Sequence, residues 1–189
     1  MPKSILITKE MIDEAAFAIA KEKGIQSLSA RSIADRLKCS TQPLYKTYSN
    51  MEELKENTML KLSNFVMQKI ITYKKTDSPF LNSGLGYIEF AKNEKYLFQM
   101  FCIESKVHNV LKPDIKNKAI KKLMDKEVIE LSLSKESKDK IFTQTMIFAY
   151  GLAVLAFLDH LEIKEDETAN LLKNAFESFI KQETEVIEI

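Results

Sequence analysis

Apolar residues recur with the spacing of an α-helix along nearly the whole chain, and no segment alternates apolar and polar residues as a strand would. In the first helical segment Ile12, Ala16 and Ile19 share one face. Thr8 is a suitable N-cap for this helix, and Gly24 is a suitable end. The pattern therefore predicts an all-α fold without a sheet.

Two short helices are predicted next. Ser29 is positioned to cap one of them, and Lys38 with Cys39 interrupts it. Ser40 is positioned to cap another, in whose first turn Pro43 is harmless because that turn has no partner for its missing N–H group.

A long helix follows. It opens with a capping box in which the Glu52 carboxylate reaches back to a free backbone N–H group, and its helical spacing of apolar residues continues to about Lys75. Five more helices complete the predicted set of about nine, with starts near Ser78, Asn93, Lys112, Ser134 and Lys164. The sixth is expected to reach Ser105 and the eighth about Leu161. We expect residues 1–50 to form one domain of three short helices and residues 51–189 a larger helical domain.

Composition fits a cytoplasmic protein. Of 189 residues, 45% are hydrophobic and 29% charged, which is ordinary for a soluble domain. Cys39 and Cys102 are far apart in a lysine-rich chain, so free thiols are expected, and no secretion signal is predicted. The apolar run 141–158 approaches membrane-spanning length, but its small residues also suit a buried helix, and we expect no membrane partner.

Charge and arginine content set the amino-terminal part of the chain apart. Residues 1–50 carry 8 Lys and Arg against 5 Asp and Glu, whereas residues 51–189 carry 20 against 22. Arg31 and Arg36 are the only two arginines. Arginine suits phosphates and guanine edges, although a lysine-biased composition would explain the pair equally well.

The stretch 29–48 has the plan of a helix-turn-helix. Ile33, Ala34, Leu37 and Leu44 have the spacing to hold its two helices together. The remaining side chains of the second helix would face outward, a set that core packing does not explain: Thr41, Gln42, Pro43, Tyr45 and Lys46.

From about Ile12 to Leu54 the sequence resembles the TetR family of bacterial transcriptional regulators. The resemblance is carried by the order and spacing of paired alanines and Gly24, Ser29 with Ile33-Ala34, Leu44-Tyr45 with Tyr48, and Glu53-Leu54. It implies that Arg31, Thr41, Gln42, Pro43 and Lys46 read base edges. It also implies that Ser29, Tyr45 and Tyr48 contact or adjoin phosphates.

Two positions depart from the family pattern. Lys38 stands where the family usually has glycine in the turn, at a cost on the order of 1 kcal/mol, and its ammonium lies on the DNA side. Met51 stands where the family favours a phosphate-binding lysine, which leaves that contact to Lys46 or Lys55.

The resemblance further implies a carboxy-terminal domain that binds a ligand and dimerises. Aromatic and methionine side chains there can line an adaptable pocket, although any single one of them is more often an ordinary residue of a bundle core. The expected pocket residues are Phe65, Tyr87, Phe90, Phe101 and Tyr150. A ligand among them would shift the long helix and the DNA reader attached to it.

Dimerisation is expected through the last two helices, which would form a four-helix bundle with those of a partner. The alternative is that these helices pack only within the monomer. The expected interface residues are Ala149, Ala153, Ala156, Leu172, Phe176 and Phe179.

Catalytic and metal-binding signatures are sparse. With two histidines and four glycines, the chain offers no serine elbow, phosphate-cradling loop or Cys/His metal spacing. Glu104 and His108 lie four residues apart but lack a third ligand. We expect no enzyme activity, cofactor or metal. The predicted function is a dimeric repressor that binds a palindromic operator and is released by a small hydrophobic ligand; control by a protein partner is the alternative.

Overall fold

The computed structural model describes residues 6–103, 113–160 and 164–185. Within them it contains nine α-helices and no strand, which confirms the all-α prediction. The helices are α1 (Lys9–Lys23), α2 (Ala30–Leu37), α3 (Gln42–Thr47), α4 (Met51–Ile71), α5 (Pro79–Asn93), α6 (Lys95–Phe98), α7 (Pro113–Glu127), α8 (Lys135–Phe157) and α9 (Glu165–Glu185).

The described residues group into two compact units. The first contains residues 6–65 and 99–103, and the second contains residues 66–98, 113–160 and 164–185. The division falls inside α4 rather than in a loop.

The first unit is built around α1, α2, α3 and the amino-terminal part of α4. Ile12, Ile33, Leu44 and Leu54 from these four helices are all at most 2% exposed. Burial of such a side chain is worth about 1.5–3 kcal/mol, so this small core contributes substantially to the unit's stability.

The ends of the first helices follow local side-chain chemistry. The Thr8 hydroxyl accepts from the Met11 amide at 3.3 Å and so caps α1 as predicted. Gly24 ends α1 with φ of 82°, a region that favours glycine. Ser29 caps α2 and exchanges hydrogen bonds with Ser32 in a capping box.

Two predicted caps are wrong by one residue. α3 begins after Thr41 instead of Ser40, and Thr41 makes no side-chain cap. At α4 the Asn50 side chain accepts from the Glu53 amide at 2.9 Å, and the Glu53 carboxylate accepts from the Ser49 amide at 2.8 Å. Glu53 therefore takes the role predicted for Glu52.

In the second unit α5 is the central helix, packed on α7, α8 and α9. Two of its glycines allow close approach. A β-carbon on Gly84 would lie 2.7 Å from Leu172 Cδ2 on α9. A β-carbon on Gly86 would lie 2.7 Å from the carbonyl oxygen of Ile70 in the last turn of α4.

The connection between α4 and α5 is held by the buried Asn82. Its side-chain oxygen accepts from the amides of Lys75 and Thr76, at 3.0 and 2.7 Å. A continuing helix would need those amides for its own ladder, which explains why α4 ends at Ile71 rather than near Lys75.

Glu127, at the end of α7, caps the start of α5. Its carboxylate accepts from the Ser78 hydroxyl at 2.5 Å and from the Phe80 amide at 2.6 Å. The first turn of α5 is thereby tied to a helix 47 residues further along the chain.

The predicted sixth and eighth helices end earlier than expected. α6 ends at Phe98 and passes into a π-helical turn, Gln99–Ile103; the predicted end at Ser105 lies outside the described residues. α8 ends at Phe157, soon followed by Asp159 with φ of 57°.

α8 is the one helix in the described part of the chain that is long and apolar enough to cross a membrane. In the structure it packs on α5 and α9 and buries Ile141, Thr145 and Ala153 against them and their neighbours. Core packing therefore accounts for one apolar face of α8.

Candidate nucleic-acid interface

The turn between α2 and α3 is tight. Lys38 adopts the left-handed conformation, with φ of 52° and ψ of 45°, as predicted for a residue in the glycine position. The Cys39 amide donates to the Ala34 carbonyl at 3.0 Å and the Lys38 amide to the Asp35 carbonyl at 3.3 Å. These bonds terminate α2 and direct the chain into α3.

α3 is fixed by one buried side chain and exposes polar side chains. Leu44 is 2% exposed and fixes the helix on the core, while Gln42, Tyr45 and Lys46 are exposed. A glutamine can pair with both polar atoms of an adenine edge, and a lysine can bind a guanine edge or a phosphate. The exposed side of α3 therefore has the chemistry to contact DNA.

The other predicted DNA-contacting residues surround this helix. Ser29, Arg31 and Lys38 are exposed, whereas Thr41 and Pro43 are half-buried. The Ser29 hydroxyl is already engaged as the cap of α2.

The two arginines differ in their surroundings. Both terminal nitrogens of Arg36 donate to the Glu22 carboxylate, at 2.9 and 2.8 Å, and these bonds hold the pKa of Glu22 below its usual value. Arg36 thus ties α2 to α1. Arg31 is exposed and remains the arginine assigned to DNA by the family resemblance.

Tyr48 lies in the core instead of at the surface. The residue is 4% exposed, so little of it is available for the phosphate contact that the resemblance implies. Its hydroxyl donates to Asp13 and accepts from Lys9 and from Asn57, the last at 2.8 Å. Burial, followed by the bond to Asp13, raises the pKa of Tyr48, and the bond to Tyr48 raises the pKa of Lys9.

The start of α4 has Met51 half-buried, with Lys55 half-buried one turn later. Lys46 is exposed and so is the more accessible of the two lysines proposed to replace the missing phosphate contact.

Three of the predicted pocket residues come together in the second unit. The Tyr87 ring centroid lies 6.4 Å from that of Phe90 and 6.4 Å from that of Tyr150, with Tyr87 and Tyr150 stacked at 29°. Phe98 and Phe157 complete this aromatic cluster. Phe90 and Phe98 are buried, whereas Tyr150 is 40% exposed.

The other two predicted pocket residues, Phe65 and Phe101, belong to the first unit. Phe65 packs edge-to-face on Phe17 at 5.4 Å, and Phe101 is buried. A separate open depression beside the start of α8 is lined by Lys135, Asp139, Gln144 and their neighbours and contains none of the predicted pocket residues.

Most residues predicted for the dimer interface are covered by the chain's own helices. Leu172 packs at Gly84, and the Phe176 ring lies 5.0 Å from that of Phe80. Phe179 is half-buried, and the others are at most 6% exposed: Ala149, Ala153, Ala156, Leu172 and Phe176. Side chains covered in this way offer a partner little surface, which leaves Phe179 and residues outside the predicted set for an interface on α8 and α9.

The opposite face of α8 offers such residues. Ile147 and Leu158 are 68% and 48% exposed, Gly151 is exposed and Val154 is half-buried. Spacings of four and three residues place Ile147, Gly151 and Val154 on one side of the helix, and Leu158 follows the last helical residue directly. We call these four residues the α8 stripe. Periodicity alone did not show which of the two apolar faces of α8 the monomer covers.

Within the described residues no three His, Cys, Asp or Glu side chains are grouped to hold a metal ion. Glu104 and His108 lie outside those residues.

No family model and no curated protein matches the sequence. The fold, however, is found in solved bacterial structures. A protein of Pseudomonas aeruginosa PAO1 assigned as a transcriptional regulator matches with a TM-score of 0.67 at 14% identity, over 94% of this chain and 92% of that one. A protein of Vibrio parahaemolyticus assigned to the TetR regulators matches with a TM-score of 0.63 at 15% identity, over 89% and 96%.

A TetR regulator of Streptomyces coelicolor matches with a TM-score of 0.57 at 12% identity, over 93% of this chain and 98% of that one. The likeness spans both compact units. This chain therefore has the fold of TetR-type transcriptional regulators, as its amino-terminal sequence predicts.

Proposed function

We propose that this chain is a cytoplasmic, one-component transcriptional repressor. It binds a palindromic operator in double-stranded DNA as a homodimer, and a small hydrophobic ligand releases it. It needs no cofactor and catalyses no reaction.

One observation carries the DNA-binding proposal: α3 exposes Gln42, Tyr45 and Lys46 while Leu44 anchors it and the left-handed Lys38 sets its direction. A second helix held in this way, after a tight turn, suits insertion into the major groove. Arg31 and Lys38 add positive charge beside it, which suits the phosphate backbone.

The α8 stripe supports dimerisation with a second copy. Ile147 and Leu158 place large apolar surfaces in solvent, and a β-carbon on Gly151 would meet nothing within 4 Å. Glycine at that point allows the same helix of a partner to approach closely. In a two-fold dimer the α8 stripe of one copy packs against the α8 stripe of the other. Both stripes are then removed from water, and no second type of binding surface is needed.

The aromatic cluster supports ligand control. Tyr150 is 40% exposed and stacks on Tyr87, which in turn contacts the buried Phe90 and Phe98, so a flat apolar molecule can stack on Tyr150 and displace Tyr87. Tyr87 adjoins Gly86, whose backbone meets the last turn of α4. A ligand that shifts α5 therefore acts on α4, and a ~100-fold preference for the DNA-incompetent state gives about 2.7 kcal/mol of coupling.

One observation favours the alternative of a protein partner. The 3-10 turn after α7 exposes Ile129 by 68% and Leu131 by 41%. Two large apolar side chains at one turn suit a protein surface better than a small molecule.

The DNA-binding proposal is tested by selection of operators from random DNA. We expect a palindrome whose half-sites are about 34–36 Å apart or a multiple of that distance. Equal affinity for selected and random DNA at physiological salt would refute it.

A thermal-shift screen separates the two modes of control. A ligand at ~100 times its Kd stabilises the protein by about 2.7 kcal/mol. A shift that disappears in Tyr150→Ala supports the aromatic cluster. Persistent absence of a shift across hydrophobic drugs, acyl compounds and quinones supports the protein partner.

A further inference from the structure

The hydroxyl of Tyr48 joins three helices of the first unit at one atom. Tyr48 follows α3 directly, Lys9 and Asp13 come from the first turns of α1, and Asn57 comes from the second turn of α4. A hydroxyl has one donor and two acceptor sites, and all three are used here. The position of the Tyr48 ring is therefore fixed by α1 and α4 together.

These hydrogen bonds are costly to break. Tyr48 is 4% exposed, and the Asp13 side chain is 17% exposed, so solvent can replace their mutual bond only in part. A buried polar group that loses its partner carries its full desolvation cost. The network thus has one preferred geometry rather than several of similar free energy.

α3 depends on this geometry. It has six residues, too few for a helix that is stable by itself, and only Leu44 within it is buried. Leu44 and the turn at Lys38 hold the amino-terminal part of α3, and neither of them holds its carboxy-terminal end. Tyr48, at the other end of the helix, supplies the second fixed point.

The corner between α3 and α4 is tied in the same way. The Glu53 carboxylate accepts from the Ser49 amide, and the Asn50 side chain accepts from the Glu53 amide. Together with the bond from Asn57 to Tyr48, these bonds attach the end of α3 to the first two turns of α4. A displacement of those turns therefore carries α3 with it.

We propose that Asp13, Tyr48 and Asn57 are positioning residues that set the orientation of α3 on which base recognition depends. The proposal rests on the proposed DNA-binding function. It assigns these three residues to specificity, although none of them contacts a base.

The decisive variant is Tyr48→Phe, which removes only the hydroxyl. Its affinity for the selected operator should fall about tenfold, because side chains aimed at a base edge lose discrimination when their helix turns. Its affinity for random DNA, which depends on phosphate contacts, should stay within about twofold. Both affinities are measured well below the unfolding temperature.

Thr47→Val is the matched control, since it also removes a hydroxyl at the end of α3. The Thr47 hydroxyl donates within α3, to the Pro43 carbonyl at 2.9 Å. This variant should keep the ratio of operator to random affinity. An equal fall in that ratio for Thr47→Val and Tyr48→Phe would overturn the proposal.

Asp13 provides an independent test in case Tyr48→Phe does not fold. Asp13→Asn keeps an acceptor for the Tyr48 hydroxyl and should preserve the affinity ratio, whereas Asp13→Ala should lower it about tenfold. An unchanged ratio in both Tyr48→Phe and Asp13→Ala, or an equal loss on both DNAs, refutes the positioning role. Wild-type protein without any operator preference refutes the DNA-binding function itself, so the two failures are distinguishable.

Discussion

Gly86 meets the backbone of Ile70 so closely that a β-carbon on Gly86 would lie 2.7 Å from the Ile70 carbonyl oxygen. Gly86→Ala should therefore displace the last turn of α4 or bend α5. The strain should exceed the ~1 kcal/mol that alanine contributes to a helix, with a net loss of about 1–3 kcal/mol in the free energy of unfolding. Denaturant titration measures this loss.

Gly84→Ala is the control for that prediction. Its β-carbon would also come within 2.7 Å of an atom, but that atom is the end of the Leu172 side chain, which can rotate away. The loss should be clearly smaller than for Gly86→Ala. Equal losses would mean that the contact with the α4 backbone has no special cost.

Substitution of Lys38 by asparagine should stabilise the fold but weaken DNA binding. Its left-handed conformation costs about 1–2 kcal/mol for a lysine, and asparagine tolerates it better. Lys38→Asn should raise the free energy of unfolding by a fraction of that cost. The same variant should bind all DNA more weakly and reduce the salt slope by about 1, since it loses one cation. A lower free energy of unfolding in Lys38→Asn would contradict the claim that the left-handed conformation of Lys38 is strained.

Gln42 and Lys46 should differ in what they read. Gln42→Ala should relax preference at one base pair of each half-site by about 1–3 kcal/mol. Lys46→Ala, if the lysine meets a phosphate, should weaken binding to every sequence alike and flatten the salt dependence. Competition binding against single-base operator variants separates the two outcomes. A uniform loss in Gln42→Ala would remove that residue from base recognition.

Ile147→Glu should dissociate the dimer, because it replaces the most exposed large apolar side chain of the α8 stripe with a charge. Sedimentation at micromolar concentration should find the wild type dimeric and this variant monomeric, with unchanged helix content. Lys92→Glu, on an exposed position of α5, is the control and should stay dimeric. A monomeric wild type would contradict the proposed interface.

The Tyr48 network should make the protein sensitive to alkaline pH. The pKa values of Tyr48 and Lys9 are raised in the folded state, so their contribution to stability is complete below the unfolded values of 10.0 and 10.5 and is lost as pH rises beyond them. The free energy of unfolding should fall more steeply above pH 10 in the wild type than in Tyr48→Phe. Parallel profiles of unfolding free energy against pH for the two proteins would show that the Tyr48 hydroxyl does not cause the alkaline sensitivity.

Local features of the fold were predictable because they depend on neighbours in sequence. The Thr8 cap, the end of α1 at Gly24 and the strained turn at Lys38 all follow from side-chain and backbone chemistry within a few residues. The cap of α4 was misplaced by one residue because both Glu52 and Glu53 have suitable spacing from a polar residue.

Features that depend on distant residues were not predictable. The end of α4 depends on Asn82, and the burial of Ala149 and Ala153 depends on which helices cover α8. Tyr48 is amphipathic, so its type suits a phosphate contact as well as a buried hydrogen bond. Only the positions of Asp13 and Asn57 in space decide between them.

The cap that Glu127 places on α5 has a consequence for the order of folding. The Phe80 amide and the Ser78 hydroxyl gain their partner only when a residue 47 or more positions later arrives, and a loop of that length closes slowly. Until then the Phe80 amide lacks this partner, although the local bond from the Leu81 amide to the Ser78 hydroxyl and the rest of the helix can already form. In a refolding experiment with pulsed hydrogen exchange, the Phe80 amide should acquire protection together with α7 and later than the amides in the middle of α5.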